Sequence, residues 1–165
     1  MKIHEYQARQ ILLDCGIPVS NGEAIFKPEH ARAAFGRLAN PHVVVKVQVL
    51  AGGRGKAGGV QKAKTAEHAE QLSRSFLGKP FATHQSGGVG RIVKSILISE
   101  EVPIVEEYYL GIVVDRSKAS PVVLFSKQGG VEIEEVTVSN PEAIQKIHFS
   151  PNALPSKQDH EPLFW

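Results

Sequence analysis

Cysteine is almost missing from this 165-residue chain. The lone Cys15 cannot form an internal disulfide, which suits a reducing compartment. Long apolar runs are missing too: none approaches the roughly 18 residues needed to cross a bilayer. The start, Met1-Lys2-Ile3-His4-Glu5-Tyr6, lacks the apolar core of a signal peptide. These absences lead to the expectation of a soluble, intracellular protein with no membrane partner. No single sign of charge dominates, because nineteen Lys and Arg oppose seventeen Asp and Glu for a formal +2. With no basic stripe, nucleic acid is not an expected partner. The seven histidines are scattered, without a His-x-x-x-His pair or neighbouring cysteines, so no structural zinc site is expected.

What is present reads as mixed α+β. Ala8, Ile11, Leu12 and Cys15 recur at helical spacing before Gly16 and Pro18, which makes Cys15 a core residue rather than a nucleophile. Pro28 opens a second helix with Ala31, Ala34, Phe35 and Leu38 on one face, ending at Asn40-Pro41. Thr65 caps a third, with Ala69, Leu72 and Phe76 inward and Gly78 as the stop. A short fourth is expected at Asn140-Pro141, with Ala143 and Ile144. Runs rich in β-branched residues predict strands at 24–26, 43–49, 60–63, 92–98, 108–115, 122–126 and 131–136. The later strands follow one another without room for a helix, which disfavours a purely parallel doubly wound sheet. The tail, 150–165, holds three prolines and ends on Leu163-Phe164-Trp165. A large apolar cluster in that position suggests a truncated or altered terminus.

The densest chemical signal runs from Val43 to Val60. Alternation puts Val43, Val45, Val47 and Val49 on one strand face and Lys46 with Gln48 on the other. A cation within an apolar strand is costly unless its face is wet or paired. The strand then enters Gly52-Gly53-Arg54-Gly55-Lys56-Ala57-Gly58-Gly59, where glycines let backbone N–H groups converge on an anion. The economical reading is a phosphate cradle; the alternative is a surface hairpin whose glycines only make the turn. It is not a P-loop, since Gly59 and Val60 stand where Lys and Ser or Thr are needed. Nor does a Gly-x-Gly-x-x-Gly open a helix there.

Four blocks carry a resemblance. They are His4-Glu5-Tyr6-Gln7-Ala8, the glycine-rich run 52–60, Tyr109-Leu110-Gly111 with Val113-Val114-Asp115-Arg116, and Gly129-Gly130-Val131-Glu132-Ile133-Glu134. In this order and spacing, from residue 3 to about 149, the chain resembles the beta subunit of succinate–CoA ligase (ADP- or GDP-forming). The resemblance implies an α+β, incomplete ATP-grasp fold: residues 20–103 form the smaller lobe, and 1–19 with 104–165 form part of the larger. By position, Lys46 is similar to the lysine that touches nucleotide phosphates. Gly53, Arg54 and Gly55 match the nucleotide loop, and Glu107 matches an acidic residue that binds the nucleotide. The hinge departs from the family pattern. Ser99 stands where the family has Glu; either it is tolerated there, since hinge contacts are largely backbone, or Glu100 substitutes through a one-residue shift, and Val102 lies at the base.

The resemblance also implies the reaction, in which succinyl-CoA, phosphate and a nucleoside diphosphate interconvert with succinate, CoA and the triphosphate. ATP or GTP is the expected nucleotide. An alpha subunit is the expected partner, and its histidine carries the phosphoryl group. No catalytic residue is assigned within this chain. Mg2+ is the expected ion, with ligands outside this chain, so the chain alone is expected to be inactive and to self-associate or bind a partner. A related malate– or acetate–CoA ligase, or a non-catalytic nucleotide-binding fragment, are the alternatives. The expected compartment is cytoplasmic, or the mitochondrial matrix in a eukaryote. His4 and Glu5 are read as fixing the first helix, and Asp115-Arg116 as a turn pair. Glu132 and Glu134 are read as a solvated strand face rather than, with Glu135, a metal site. Tyr108-Tyr109 is read as packing.

Overall fold

The computed structural model describes residues 2–131 and 133–153. In chain order it contains α1 (Glu5–Asp14), β1 (Gly22–Ile25), α2 (His30–Arg37), β2 (Val43–Val47), β3 (Val60–Ala63) and α3 (Ala66–Phe76). These are followed by β4 (Pro80–Phe81), β5 (Arg91–Ile92), β6 (Ile96–Glu100), β7 (Tyr109–Asp115), β8 (Ser120–Ser126), α4 (Ile133–Ser139) and β9 (Gln145–His148). The chain divides into two units, Met1–Val102 and Pro103–Trp165. Among the described residues no helix is long and apolar enough to cross a membrane.

In the first unit a four-stranded sheet runs in the order β1-β6-β2-β3, with antiparallel neighbours throughout. Val43, Val45 and Val47 pair with Glu100, Ile98 and Ile96, so their valines share a face with both isoleucines. That face is covered by α2 and α3: Ala31, Ala34 and Ala69 are fully buried against it, with Phe35, Leu38, Leu72 and Phe76 around them. Small residues at the helix contacts let the two layers approach closely. Thr65 caps α3 as expected, its hydroxyl accepting from His68 N–H at 3.1 Å.

The helix α1 has no buried residue, and Cys15 is exposed, which overturns the expectation of a core cysteine. Periodicity identified a helix but not what covers its apolar stripe. Ile11, Leu12 and Leu13 are all exposed.

In the second unit β7, β8 and β9 form an antiparallel sheet. The strand expected at 131–136 is instead the helix α4. Glu134 and Glu135 in succession break a two-residue period, whereas Ile133 and Val136 sit at helical spacing, and Val136 is buried. The solvated strand face assigned to Glu134 is therefore withdrawn, while Glu132 lies outside the described residues. The short helix expected at Asn140 is only a 3₁₀ turn, Pro141–Ala143, leading into β9. The tail cluster Leu163-Phe164-Trp165 also lies outside the described residues.

Candidate functional site

The strand β2 is interior to its sheet, and Lys46 lies on the face opposite the helices, between Val60 on β3 and Leu97 on β6. Gln48 follows on that side. Its carboxamide is buried and accepts from the Tyr6 N–H at 3.3 Å. The alternation read from the sequence thus positions one ammonium group on an otherwise apolar strand, with its side chain about a quarter exposed (24%).

After β2 the glycine loop folds back on its own strand. Arg54 Nη1 donates to the Val47 carbonyl at 2.8 Å, and the Gly59 N–H donates to the Arg54 carbonyl at 2.8 Å. Gly53 has φ +73°, a conformation that L side chains rarely adopt. A Cβ on Gly59 would lie 2.5 Å from the Phe81 ring. Gly55 differs, because an added Cβ would meet nothing within 4 Å and its φ demands no glycine. The fold itself thus gives no reason for its missing side chain.

Glu5 joins these pieces. Lys46 Nζ donates to Glu5 Oε1 at 3.1 Å, and Arg54 Nη2 donates to Glu5 Oε2 at 2.8 Å. Lys46 of the strand and Arg54 of the loop therefore converge on one carboxylate. Burial works against ionisation of Glu5, but Lys46 and Arg54 outweigh it, and the pKa falls below its ordinary value. Burial and the neighbouring Arg54 lower the pKa of His4. Exposed ion pairs contribute about 0–1 kcal/mol and breaking a buried one costs about 3–5. With all three side chains about a quarter exposed, this cluster falls between those limits. Sequence reasoning gave Glu5 only a helix-fixing role. Its partners are 41 and 49 residues away, and no local spacing reveals such a contact.

On β6, Ser99 pairs with Val44 on β2 and Gly22 on β1, which puts it on the same sheet face as Lys46. It is fully buried, and its Oγ has no hydrogen-bond partner among the described residues. Glu100 is held by Asn21, whose Nδ2 donates to both carboxylate oxygens at 3.1 Å. Val102 is exposed.

Glu107 belongs to the second unit. There its carbonyl accepts from the Gly129 N–H at 3.1 Å, and Gly130 packs against its carboxylate. A Cβ on Gly129 would come within 2.3 Å of the Glu107 backbone, so the Gly129-Gly130 pair leaves the space that Glu107 fills. Tyr108 stacks on Phe125 with centroids 5.8 Å apart. Asp115 does not pair with Arg116 in a turn. It accepts from Ser117 Oγ at 2.6 Å and contacts His148 Nε2 at 2.8 Å, because β9 brings that histidine alongside. Among the described residues no three His, Cys, Asp or Glu side chains gather as metal ligands.

Comparison with known proteins agrees with this architecture. A family model described as ATP-grasp domain matches residues 2–163. The succinate–CoA ligase [ADP-forming] beta subunit of Syntrophobacter fumaroxidans is 45% identical over 151 residues, covering 92% of this chain and 39% of that protein. Its counterpart from Exiguobacterium sibiricum is 47% identical with the same coverage, so this chain spans about two fifths of the length of these relatives. The fold is also that of ATP citrate lyase from Methanothrix soehngenii, with TM-score 0.68 at 24% identity over 93% of this chain and 37% of the other. A dinucleotide-forming acetyl-coenzyme A synthetase of Ca. Korarchaeum cryptofilum, in complex with coenzyme A and Ca-AMPCP, gives TM-score 0.69 at 22% identity over 98% and 65%. With nearly its whole length matched by the family model and its fold shared with these enzymes, the chain belongs to the ATP-grasp domain family.

Proposed function

We propose that the chain is the nucleotide-binding portion of a succinate–CoA ligase beta subunit, holding ATP or GTP through its phosphates. The observation that carries this reading is the convergence of Lys46 and Arg54 beside the glycine loop. Lys46, Arg54 and Glu5 together carry a net charge of +1 beside a loop whose Gly55 is open to an approaching ligand. Lys46, Arg54 and the amides of Gly53 and Gly55 neutralise phosphate oxygens and fix their position. In phosphoryl transfer, positioning and charge stabilisation of this kind carry most of the catalysis. Ser99, Glu100 and Val102 line the base edge in this reading, and Glu107 binds elsewhere on the nucleotide. The likeness to the beta subunits supports succinate, CoA and phosphate as the other reactants, an alpha subunit as partner, Mg2+ as the ion and a cytoplasmic setting.

The same reading takes 20–103 as the smaller lobe, and 1–19 with 104–165 as part of the larger. The division between Val102 and Pro103 supports that boundary. In the structure residues 1–19 group with the first unit, so their place in the larger lobe rests on the resemblance alone. Titration of the chain with ATP, GTP and adenosine tests the binding claim by calorimetry. Triphosphates should bind and adenosine should bind much more weakly; equal affinity for all three would return the loop to a plain hairpin.

A further inference from the structure

Glu5 occupies a position that the proposed function leaves unexplained. If Lys46 and Arg54 serve phosphate, a protein carboxylate already takes one bond from each. A carboxylate presents two oxygens with several lone-pair directions, and here it uses one oxygen per cation. That is how two oxygens of a phosphate would engage the same pair. The carboxylate is not a free surface group: Glu5 is the first residue of α1, and the Tyr6 N–H binds Gln48 at 3.3 Å. Its backbone therefore fixes where the side chain reaches. The positive end of the helix axis also favours an acidic residue in this first turn.

We propose that Glu5 is a built-in competitor for the phosphate-binding cations, so that a polyphosphate must displace or share its two ion pairs in order to bind. This rests on the reading of Lys46 and Arg54 as phosphate ligands. Without a nucleotide, Glu5 keeps both long side chains paired and aimed at one point, so they need not be reorganised on binding. When a polyphosphate arrives, its larger negative charge wins the cations and the Glu5 carboxylate returns to solvent. Occupancy of the site is thereby coupled to the N-terminal turn of α1, which Glu5 otherwise ties to β2 and the loop.

The test is calorimetric titration of the full chain with inorganic tripolyphosphate, ATP, AMP and adenosine. Glu5→Gln, Glu5→Asp, Lys46→Met and the Glu5→Gln/Lys46→Met double variant are compared with wild type, each checked first for an unaltered circular dichroism spectrum. Glu5→Gln should bind tripolyphosphate and ATP about three- to thirtyfold more tightly, AMP less so and adenosine unchanged, because one carboxylate charge no longer competes. Glu5→Asp keeps the charge but retreats by one methylene, and should fall between. The gain should shrink in the Lys46→Met background, which a merely structural role of Glu5 would not produce. If Glu5→Gln leaves tripolyphosphate binding unchanged or weakens it, while Lys46→Met still weakens it selectively, the competitor idea is overturned and the phosphate site stands. If Lys46→Met affects tripolyphosphate and adenosine alike, the phosphate site fails and the competitor fails with it. Glu5→Asp gives the same reading should Glu5→Gln not fold.

Discussion

The ammonium of Lys46 and the carboxylate of Glu5 meet at 3.1 Å across 41 residues of chain. This contact joins an interior strand to the first turn of a helix on the sheet face that α2 and α3 leave open. Lys46→Met should therefore weaken triphosphate binding about ten- to a hundredfold while leaving the bare nucleoside unaffected, since a charge-assisted bond contributes about 1.5–3 kcal/mol. Calorimetry with ATP and adenosine measures both. An equal loss for the two ligands would indicate misfolding rather than a lost phosphate contact.

The glycine loop separates two causes of damage. Gly53 needs its positive φ, so Gly53→Val should weaken the fold as well as binding, with a lowered Tm. Gly55 has neither that φ nor a close neighbour. Gly55→Val should leave Tm within a degree or two and still weaken ATP binding, because only a ligand approaching the loop amides meets the new side chain. Unimpaired ATP binding by Gly55→Val would remove these amides from the site.

Gly129 should matter through Glu107. Gly129→Ala forces a Cβ against the Glu107 backbone and should displace that carboxylate. Overpacking of this kind costs about 1–3 kcal/mol. We expect a lower Tm together with weaker ATP binding, whereas tripolyphosphate, which lacks a nucleoside, should lose nothing. A parallel loss for both ligands would mean that Glu107 has no part in recognising the nucleoside.

Ser99 offers a test with the opposite sign. A buried hydroxyl without a partner costs about 1–3 kcal/mol, so Ser99→Ala should raise Tm. If the hydroxyl is kept for the nucleobase, the same variant should bind ATP more weakly and tripolyphosphate equally well. A raised Tm with unchanged ATP affinity would take Ser99 out of the base edge.

The pair of Asp115 and His148 has a pH signature. The Ser117 hydroxyl and then the His148 ring hold the Asp115 carboxyl well below its ordinary value of 3.8. A depressed folded-state pKa means stability that is present above the unfolded value and is lost as pH falls through the folded one. Wild-type Tm should thus drop in acid below about pH 4. Asp115→Asn should have a lower Tm at neutral pH and a flatter Tm profile in that acid range. Parallel profiles would show that Asp115 does not carry this dependence.

The legible parts were those written in local periods. Val43, Val45 and Val47 alternate with Lys46, and that alone placed the cation on the correct face of β2. Thr65 before Ala69, Leu72 and Phe76 fixed α3, because cap and stripe agree. The misread parts were decided by distant partners. The run from Val131 to Val136 is β-branched enough to look like a strand, yet Ile133–Ser139 is a helix that buries Val136. The strand β9 is illegible in the sequence because Gln145, Lys146 and His148 give it little apolar pattern, and among the described residues it pairs only with β8. Glu5 stayed hidden for the same reason. Its chemistry lies in two cations far along the chain, and a helix-opening glutamate looks the same with or without them.

The exposure of α1 has a consequence for how this molecule opens. Ten residues form a helix too short to persist alone in water, since isolated helices below roughly 12–15 residues are marginal. None of its side chains is buried, and polar ties hold it: Glu5 to the two cations, the Tyr6 amide to Gln48, and Arg9 to Ser20. Such a segment detaches by local opening at a small fraction of the free energy of global unfolding. Its amide hydrogens should exchange with deuterium long before those of β2, whose neighbours on both sides must separate first. Added salt, which screens the ion pairs more than it disturbs an apolar core, should accelerate that exchange in α1 while leaving β2 slow.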